Sequence, residues 1–401
     1  MEVERFGDFV RNAEPALMPT FRTTPPRHAT GLSLVELMIA LLIGSILMLG
    51  LVQVFSASRA AYQVSEGVAR VQENGRFALD YLQRDIRLIG HFGCVNDQSH
   101  KQQVDAFRMN TGAAAGGPLD FNLSVQGYEA NGTSQVNQDL NLAAPTAGWT
   151  PALPAHLADL GAVAGSDVIM LRFLRPNSAP VSNLVVAGAT TTVSTTPAGW
   201  SDLAEDGVAN PAVFGVADCS YVDVFNGVGN AGAQTVSANV ALDRYTPNPA
   251  GHAALYRAEA VAYYVANNAA GRPSLFRARW ASGARATEEL VEGIESIQFL
   301  YGQDRSADVN NPSGFMANQV PASDPALPAA TTAAGEQAWR RVGLVQLAVV
   351  ASSPDRAAVG QAASADSRPR ALGLRVVGPD DGRYRASYET TVALRNRLYG
   401  N

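Results

Sequence analysis

The chain has 401 residues, 47% apolar and only 16% charged, with a formal charge of -6, a balance that excludes a highly charged disordered protein and argues against a phosphate-binding surface of clustered bases. Lys101 is the single lysine and Gln102 follows it, so the Gly-Lys-Ser/Thr of a Walker A loop is missing and a P-loop NTPase is excluded. The length alone sets a prior of two to three domains, or one large β domain with an appendage.

The first predicted element is a long apolar helix. Leu32 to Phe55 reads LSLVELMIALLIGSILMLGLVQVF, 24 residues that as a helix would span about 36 Å, enough for a hydrocarbon core of about 30 Å. A secretory signal has a shorter apolar part and an Ala-x-Ala-like site behind it, whereas this run flows straight into helical sequence, so no cleavage behind it is expected. Residues 18 to 31 carry Arg22 and Arg27 and no acid, which favours a cytoplasmic N-terminus and an exported remainder, although Arg59 opposes that bias. Glu36 is the anomaly in the run: it reads either as a carboxylate snorkelling to the headgroups or as a charge that needs a partner.

The order Gly31-Leu32-Ser33-Leu34-Val35-Glu36, with a basic, polar leader before it and an apolar helix after it, resembles the class III signal of type IV pilins and pseudopilins. The resemblance implies that a prepilin peptidase cuts between Gly31 and Leu32, that the new amine of Leu32 is methylated, and that Glu36 neutralises the N-terminus of a neighbouring subunit during assembly. Leu32 stands where those families usually have phenylalanine. The leader is long and holds Glu2, Glu4, Asp8 and Glu14, so Met18, which would leave Arg22, Arg27 and His28 as its only ionisable side chains, is the expected start.

Beyond the apolar run, Val64, Val68, Val71, Gly75, Ala78, Leu82, Ile86 and Ile89 recur at spacings of three and four and predict one face of an amphipathic helix. Glu66 with Arg70 and Asp80 with Arg84 are acid-before-base pairs on the solvated face. Continued from Leu32 to Ile89 the helix would have 58 residues, with Gly67 and Gly75 as weak points and Gly90 and Gly93 as stops. Residues 71–94, VQENGRFALDYLQRDIRLIGHFGC, resemble the PilW family of type IV pilus minor pilins, as do LVEGIESIQFLYGQD at 290–304 and TTVALRNRL at 390–398.

Residues 95–165 show little periodicity and read as loops with short elements. Strands are expected at 167–174, 183–196, 220–225 and 234–242, then a hairpin of EAVAYYVA and SLFRARWA around NNAAGRP, then SIQFLYG, LVQLAVVASS and SYETTVAL, with Gly and Pro in 302–337 marking an exposed excursion. The expected fold class is α+β and pilin-like: a long N-terminal helix, transmembrane in its upper half and amphipathic in its lower half, packed on a large antiparallel β-rich head. The expected segments are a cleaved leader (1–31), an assembly helix (32–55), a helical stalk (56–93) and a periplasmic head (94–401).

Gly227, Gly229 and Gly232 satisfy G-x-G-x-x-G, but strand-like QTVSANVAL follows, so a glycine-rich β turn is expected rather than a dinucleotide site. Asp304, Asp308, Asn310 and Asn311 gather oxygen atoms in a loop without EF-hand register, a weak calcium candidate beside a plain polar loop. With five histidines and neither His-Glu-x-x-His nor Gly-x-Ser-x-Gly, no catalytic residue, metal or cofactor is expected. Cys94 and Cys219 are too few for a thiolate zinc site. In an exported head they suit one disulfide, and in the cytosol they would be two buried thiols.

The expected function is a minor pilin that primes type IV pilus assembly near the fibre tip and supports piliation, twitching motility and adhesion. The resemblance implies other minor pilins, a major pilin and a tip adhesin as partners, with the inner membrane as the station before assembly and no nucleic acid. The alternative is a J-type pseudopilin of a type II secretion system, and a remote one is a membrane-anchored periplasmic enzyme.

Overall fold

A computed structural model describes residues 31–96, 105–135, 138–306, 313–357 and 368–397. The chain divides into two compact units, Met1–Ser58 and Arg59–Asn401. One helix, Leu34–Ile86, contributes to both. Its 53 residues contain no proline, and in the first unit every described side chain is exposed. The helix stops three residues before the expected Ile89. The amides of Leu88 and Ile89 bond three residues back, to Asp85 and Ile86, and Gly90 and Gly93 then take φ values of 73° and 74°, the left-handed conformation that glycine tolerates best.

In the second unit the helix buries Gly67, Val71, Gly75, Ala78, Leu82, Asp85 and Ile86. Gly67 and Gly75, expected as weak points, lie in unbroken helix and are places of closest approach. A Cβ on Gly67 would collide with the side chain of Ala357, and one on Gly75 would overlap the Tyr388 ring. Val71, Ala78, Leu82, Ile86 and Ile89 join a core with Ile294, Ile297, Phe299, Leu347, Val349 and Ala351. On the solvated face Glu66 and Arg70 pair at 3.1 Å as expected, whereas Arg84 meets Asp206 at 3.8 Å instead of Asp80. The spacing rule counts only neighbours on the same helix, and the head supplies a nearer acid.

The head is a mainly antiparallel β structure. Its twelve-stranded sheet centres on Val168–Pro180, Ala254–Asn267, Val213–Ala217 and Val222–Asn230. The expected hairpin joins Ala254–Asn267 to Pro273–Trp280, its turn fixed by Asn268, whose Oδ1 accepts from the amides of Ala270 and Arg272. A second sheet orders Met316–Val320, Ile294–Asp304, Val342–Arg356 and Arg383–Ala393. Two expectations change. Residues 95–165 hold Val125–Ala130, buried along its whole length and paired with Val168–Pro180. A strand buried on both faces has no alternation to reveal it. The excursion at 302–337 contains the strand Met316–Val320 and most of the helix Ala333–Arg340, which the Thr332 hydroxyl caps by accepting from the Gly335 amide and which buries Trp339 fully.

Two buried carboxylates hold these parts together. Asp85, 1% exposed, accepts a hydrogen bond from the Tyr263 hydroxyl at 2.6 Å and lies 3.4 Å from Arg277, tying the helix to the main sheet. Asp167 accepts from the amides of Ala130 at 2.8 Å and Phe299 at 2.9 Å, one in each sheet. Beside it Glu129 accepts from the Thr133 hydroxyl at 3.0 Å. Burial first, then the adjacent Asp167, pushes the Glu129 carboxyl well above the ordinary range, and burial raises Asp167 too. A proton shared by such a pair avoids two buried like charges.

Replacing Asp85 with alanine leaves Arg277 its pairing with Glu288 and leaves the Tyr263 hydroxyl only the Tyr81 carbonyl at 3.3 Å, and should cost about 1–2 kcal/mol in denaturant unfolding of the full chain in detergent. Tyr263→Phe should cost about 1 kcal/mol. The Glu129–Asp167 pair binds protons more tightly folded than unfolded, so its stabilisation is complete below about pH 4 and is lost as pH rises through neutrality. The unfolding temperature should therefore fall by about 2–5 °C between pH 5 and pH 8. Glu129→Gln should flatten that slope, and an unchanged slope would assign it to other groups.

Candidate assembly site

Gly31 and Leu32 precede the helix, and residues 1–30 of the expected leader lie outside the described residues. Ser33 opens the first turn. Its amide donates to Glu36 Oε2 at 3.0 Å, and the Glu36 amide donates to Ser33 Oγ at 3.2 Å. This reciprocal pair is a capping box, which satisfies two of the amide donors that every helix start leaves unpaired. Glu36 therefore has a local task as well as the expected intersubunit one, and Oε1 has no partner among the described residues. The pattern Ser-x-x-Glu before an apolar run was present in the sequence and points to this cap directly.

From Leu37 to Ser58 there is no ionisable side chain, and the large apolar residues from Leu34 to Phe55 are 50 to 74% exposed. The two serine hydroxyls in its interior are turned back on the helix: Ser45 donates to the Leu42 carbonyl at 2.8 Å and Ser56 to the Val52 carbonyl at 2.7 Å. Neither of these two hydroxyls is left to seek water, as an apolar surrounding requires. The helix is long and apolar enough to cross a membrane.

Three separated stretches of sequence, 71–94, 290–304 and 390–398, converge in the second unit. Asn74 Nδ2 donates to the Glu292 carbonyl at 2.9 Å, and Gly75 lies under Tyr388. Asn396 Nδ2 donates to the carbonyls of Arg87 and Ile89, both at 3.1 Å, and so caps the helix end. Arg397, fully buried, donates to the carbonyls of Trp339 and Val342. Immediately after Gly93, Cys94 forms a disulfide with Cys219, with Cα atoms 4.7 Å apart. It closes a 125-residue separation, worth about 4–5 kcal/mol by loop entropy.

The remaining candidates fall elsewhere. Gly227 and Gly229 lie in the strand Val222–Asn230, where Gly229 leaves room for Trp200, and only Gly232 lies in the turn to Thr235–Ala238, so the expected glycine-rich turn is a strand end and turn holding one of the three glycines. The Asp304 carboxylate is fully buried and accepts from the Ser306 amide at 2.8 Å, the Ser313 hydroxyl at 3.0 Å and the Gly314 amide at 2.6 Å, with Arg341 at 3.6 Å. Loop donors and a guanidinium thus occupy the oxygens that a calcium ion would need. Asp308, Asn310 and Asn311 lie outside the described residues.

Residues 26–52 match the prokaryotic N-terminal methylation motif, and residues 262–396 match the family described as type IV pilus-assembly protein W. The chain is thus similar to type IV pilus-assembly protein W over one stretch and carries a pilin-type methylation motif at its N-terminal helix. The PilW match covers about a third of the chain and includes the stretch 290–304 and most of 390–398. Both families are components of pilus structures rather than enzyme families. A type IV-like pilin from Thermus thermophilus matches 47% of the PilW-like chain and 85% of its own, at 16% identity and a TM-score of 0.21. No curated protein matches.

Ser33→Ala removes the hydroxyl of the capping box but leaves the Glu36 carboxylate in place. It should cost about 1 kcal/mol at the helix start, read as faster amide exchange over residues 34–37, with pilus number unchanged. An equal loss of pili in Ser33→Ala and Glu36→Ala would mean that Glu36 acts through the cap alone.

Proposed function

We propose that the chain is a minor pilin that helps to initiate type IV pilus assembly and resides near the fibre tip. The observation that carries this reading is the uncharged, exposed run from Leu37 to Ser58 directly after Glu36, joined in one chain to a PilW-like head. A prepilin peptidase cuts between Gly31 and Leu32, and the freed amine of Leu32 is methylated. Until assembly the helix sits in the inner membrane with the head in the periplasm. During assembly it leaves lipid for the fibre core, where the free oxygen of Glu36 accepts the amine of an adjacent subunit. Other minor pilins, the major pilin and a tip adhesin are the partners, and motility and adhesion follow from the pili so formed.

Mass spectrometry of the N-terminal peptide from cells with the peptidase should find methylated Leu32 as the first residue. Deleting the chain should remove surface pili. Glu36→Ala should reduce them by more than about tenfold, because an unpaired buried charge costs about 3–5 kcal/mol and each 1.4 kcal/mol is a factor of ten. Unchanged pili together with a protein-secretion defect would favour a pseudopilin of a type II secretion system.

A further inference from the structure

A cleft of about 630 Å³ opens in the second unit, with the helix from Arg59 to Asn74 on one side and the strand ends around Arg272, Glu292 and Asp355 on the other. Most of its charge is internally neutralised. Glu66 pairs with Arg70 at 3.1 Å, Arg272 with Glu292 at 2.7 Å, and Arg383 lies 3.7 Å from Asp381. Two opposite charges on its walls have no close partner. Arg59 and the carboxylate of Asp355, both exposed, make no hydrogen bond or ion pair within 4 Å among the described residues, although Asp355 is near enough to Arg272 to help hold its proton. Tyr62, 69% exposed and on the same helix face as Arg59, also lines the cleft.

Arg59 follows Phe55, the last residue of the apolar run, by four positions. Its Cα therefore lies within about 14 Å of that of Phe55 whatever the chain does between them. That reach keeps the guanidinium at or beside the headgroup zone of a bilayer whose core ends at the apolar run. Tyrosine is enriched at that depth, and arginine places its charge there while its stem stays in apolar surroundings. A base directly beyond the apolar run also weakens the orientation signal given by Arg22 and Arg27, a cost that calls for a compensating task.

A cation and an anion without close partners in one cleft suit a zwitterion. A simple anion would meet Asp355, and a simple cation would meet Arg59. We propose that this cleft binds the headgroup of a phosphoethanolamine-type phospholipid, the phosphate on Arg59 and the primary ammonium on Asp355, while the subunit waits in the membrane. The inference rests on the reading that the apolar run resides in a bilayer before assembly.

The test is native mass spectrometry of the full chain, released from detergent micelles with equal amounts of phosphatidylethanolamine, phosphatidylcholine and phosphatidylglycerol. Phosphatidylethanolamine should be retained at least about fivefold over the other two, a difference of about 1 kcal/mol. Choline shares the phosphate but has no ammonium proton to donate. Arg59→Gln and Asp355→Asn, both at exposed positions, should each remove the preference. Arg108→Gln, outside the cleft, should preserve it. Equal retention of the three lipids, or a preference that survives both cleft variants, would overturn the proposal. Displacement by an equal concentration of soluble phosphoethanolamine would show that the free headgroup suffices and overturn the lipid assignment. A chain that stays soluble without detergent would instead sink the bilayer reading, before any lipid is counted.

Discussion

A carboxylate taken out of water must be given donors, and this chain uses that constraint at three of its joints. Glu36 caps the start of the long helix, Asp85 fastens the helix to the main sheet, and Asp167 joins the two sheets. The solutions differ with surroundings. Glu36 is exposed and takes a single backbone donor, keeping one oxygen for another molecule. Asp85 takes a hydroxyl and a guanidinium. Asp167 takes two amides and lies beside Glu129, whose carboxyl burial pushes up. The first arrangement is open and the other two are closed, which is the distinction expected between a joint made during assembly and joints made during folding.

The two parts of the helix present two different covering problems. Around Val71 to Ile86 the apolar stripe is covered by the head, with Gly67 and Gly75 letting backbone approach side chains that any larger residue would displace. From Leu34 to Phe55 the helix is apolar all round, and each buried Leu or Ile side chain is worth about 1.5–3 kcal/mol, so a large driving force for coverage remains unused in the isolated chain. A bilayer and a fibre core both satisfy that demand. They are not equivalent to a carboxylate at the helix start, since a bilayer core offers Glu36 no fixed donor whereas a protein surrounding can.

The features legible in the sequence are those governed by local rules. The apolar run, the amphipathic stripe and the hairpin around Asn268 follow from composition, a 3.6-residue period and turn chemistry, and the structure contains all three. Val125–Ala130 escaped because burial on both faces removes alternation, and Asp85 looks like one more polar residue beside Asp80 and Arg84 until Tyr263 and Arg277 are brought against it. The pairing of Cys94 with Cys219 depended on knowing the compartment. Ser33 is the exception, since its capping box with Glu36 follows from four consecutive residues.

The convergence of three distant sequence stretches has a mechanical meaning. The helix end is held by a covalent bond from Cys94 to Cys219, by the buried Asp85 group, and by Asn396 on the carbonyls of Arg87 and Ile89. These attachments lead to different places: a turn between strands, the middle of the main sheet, and the C-terminal segment. Arg397 in turn clamps that segment to the carbonyls of Trp339 and Val342. A pull transmitted along the helix is thus divided among routes of different chemistry, so that reduction of the disulfide or loss of the Asp85 carboxylate weakens one route without releasing the others. Residues that are individually unremarkable in sequence are best understood as the separate anchors of one joint.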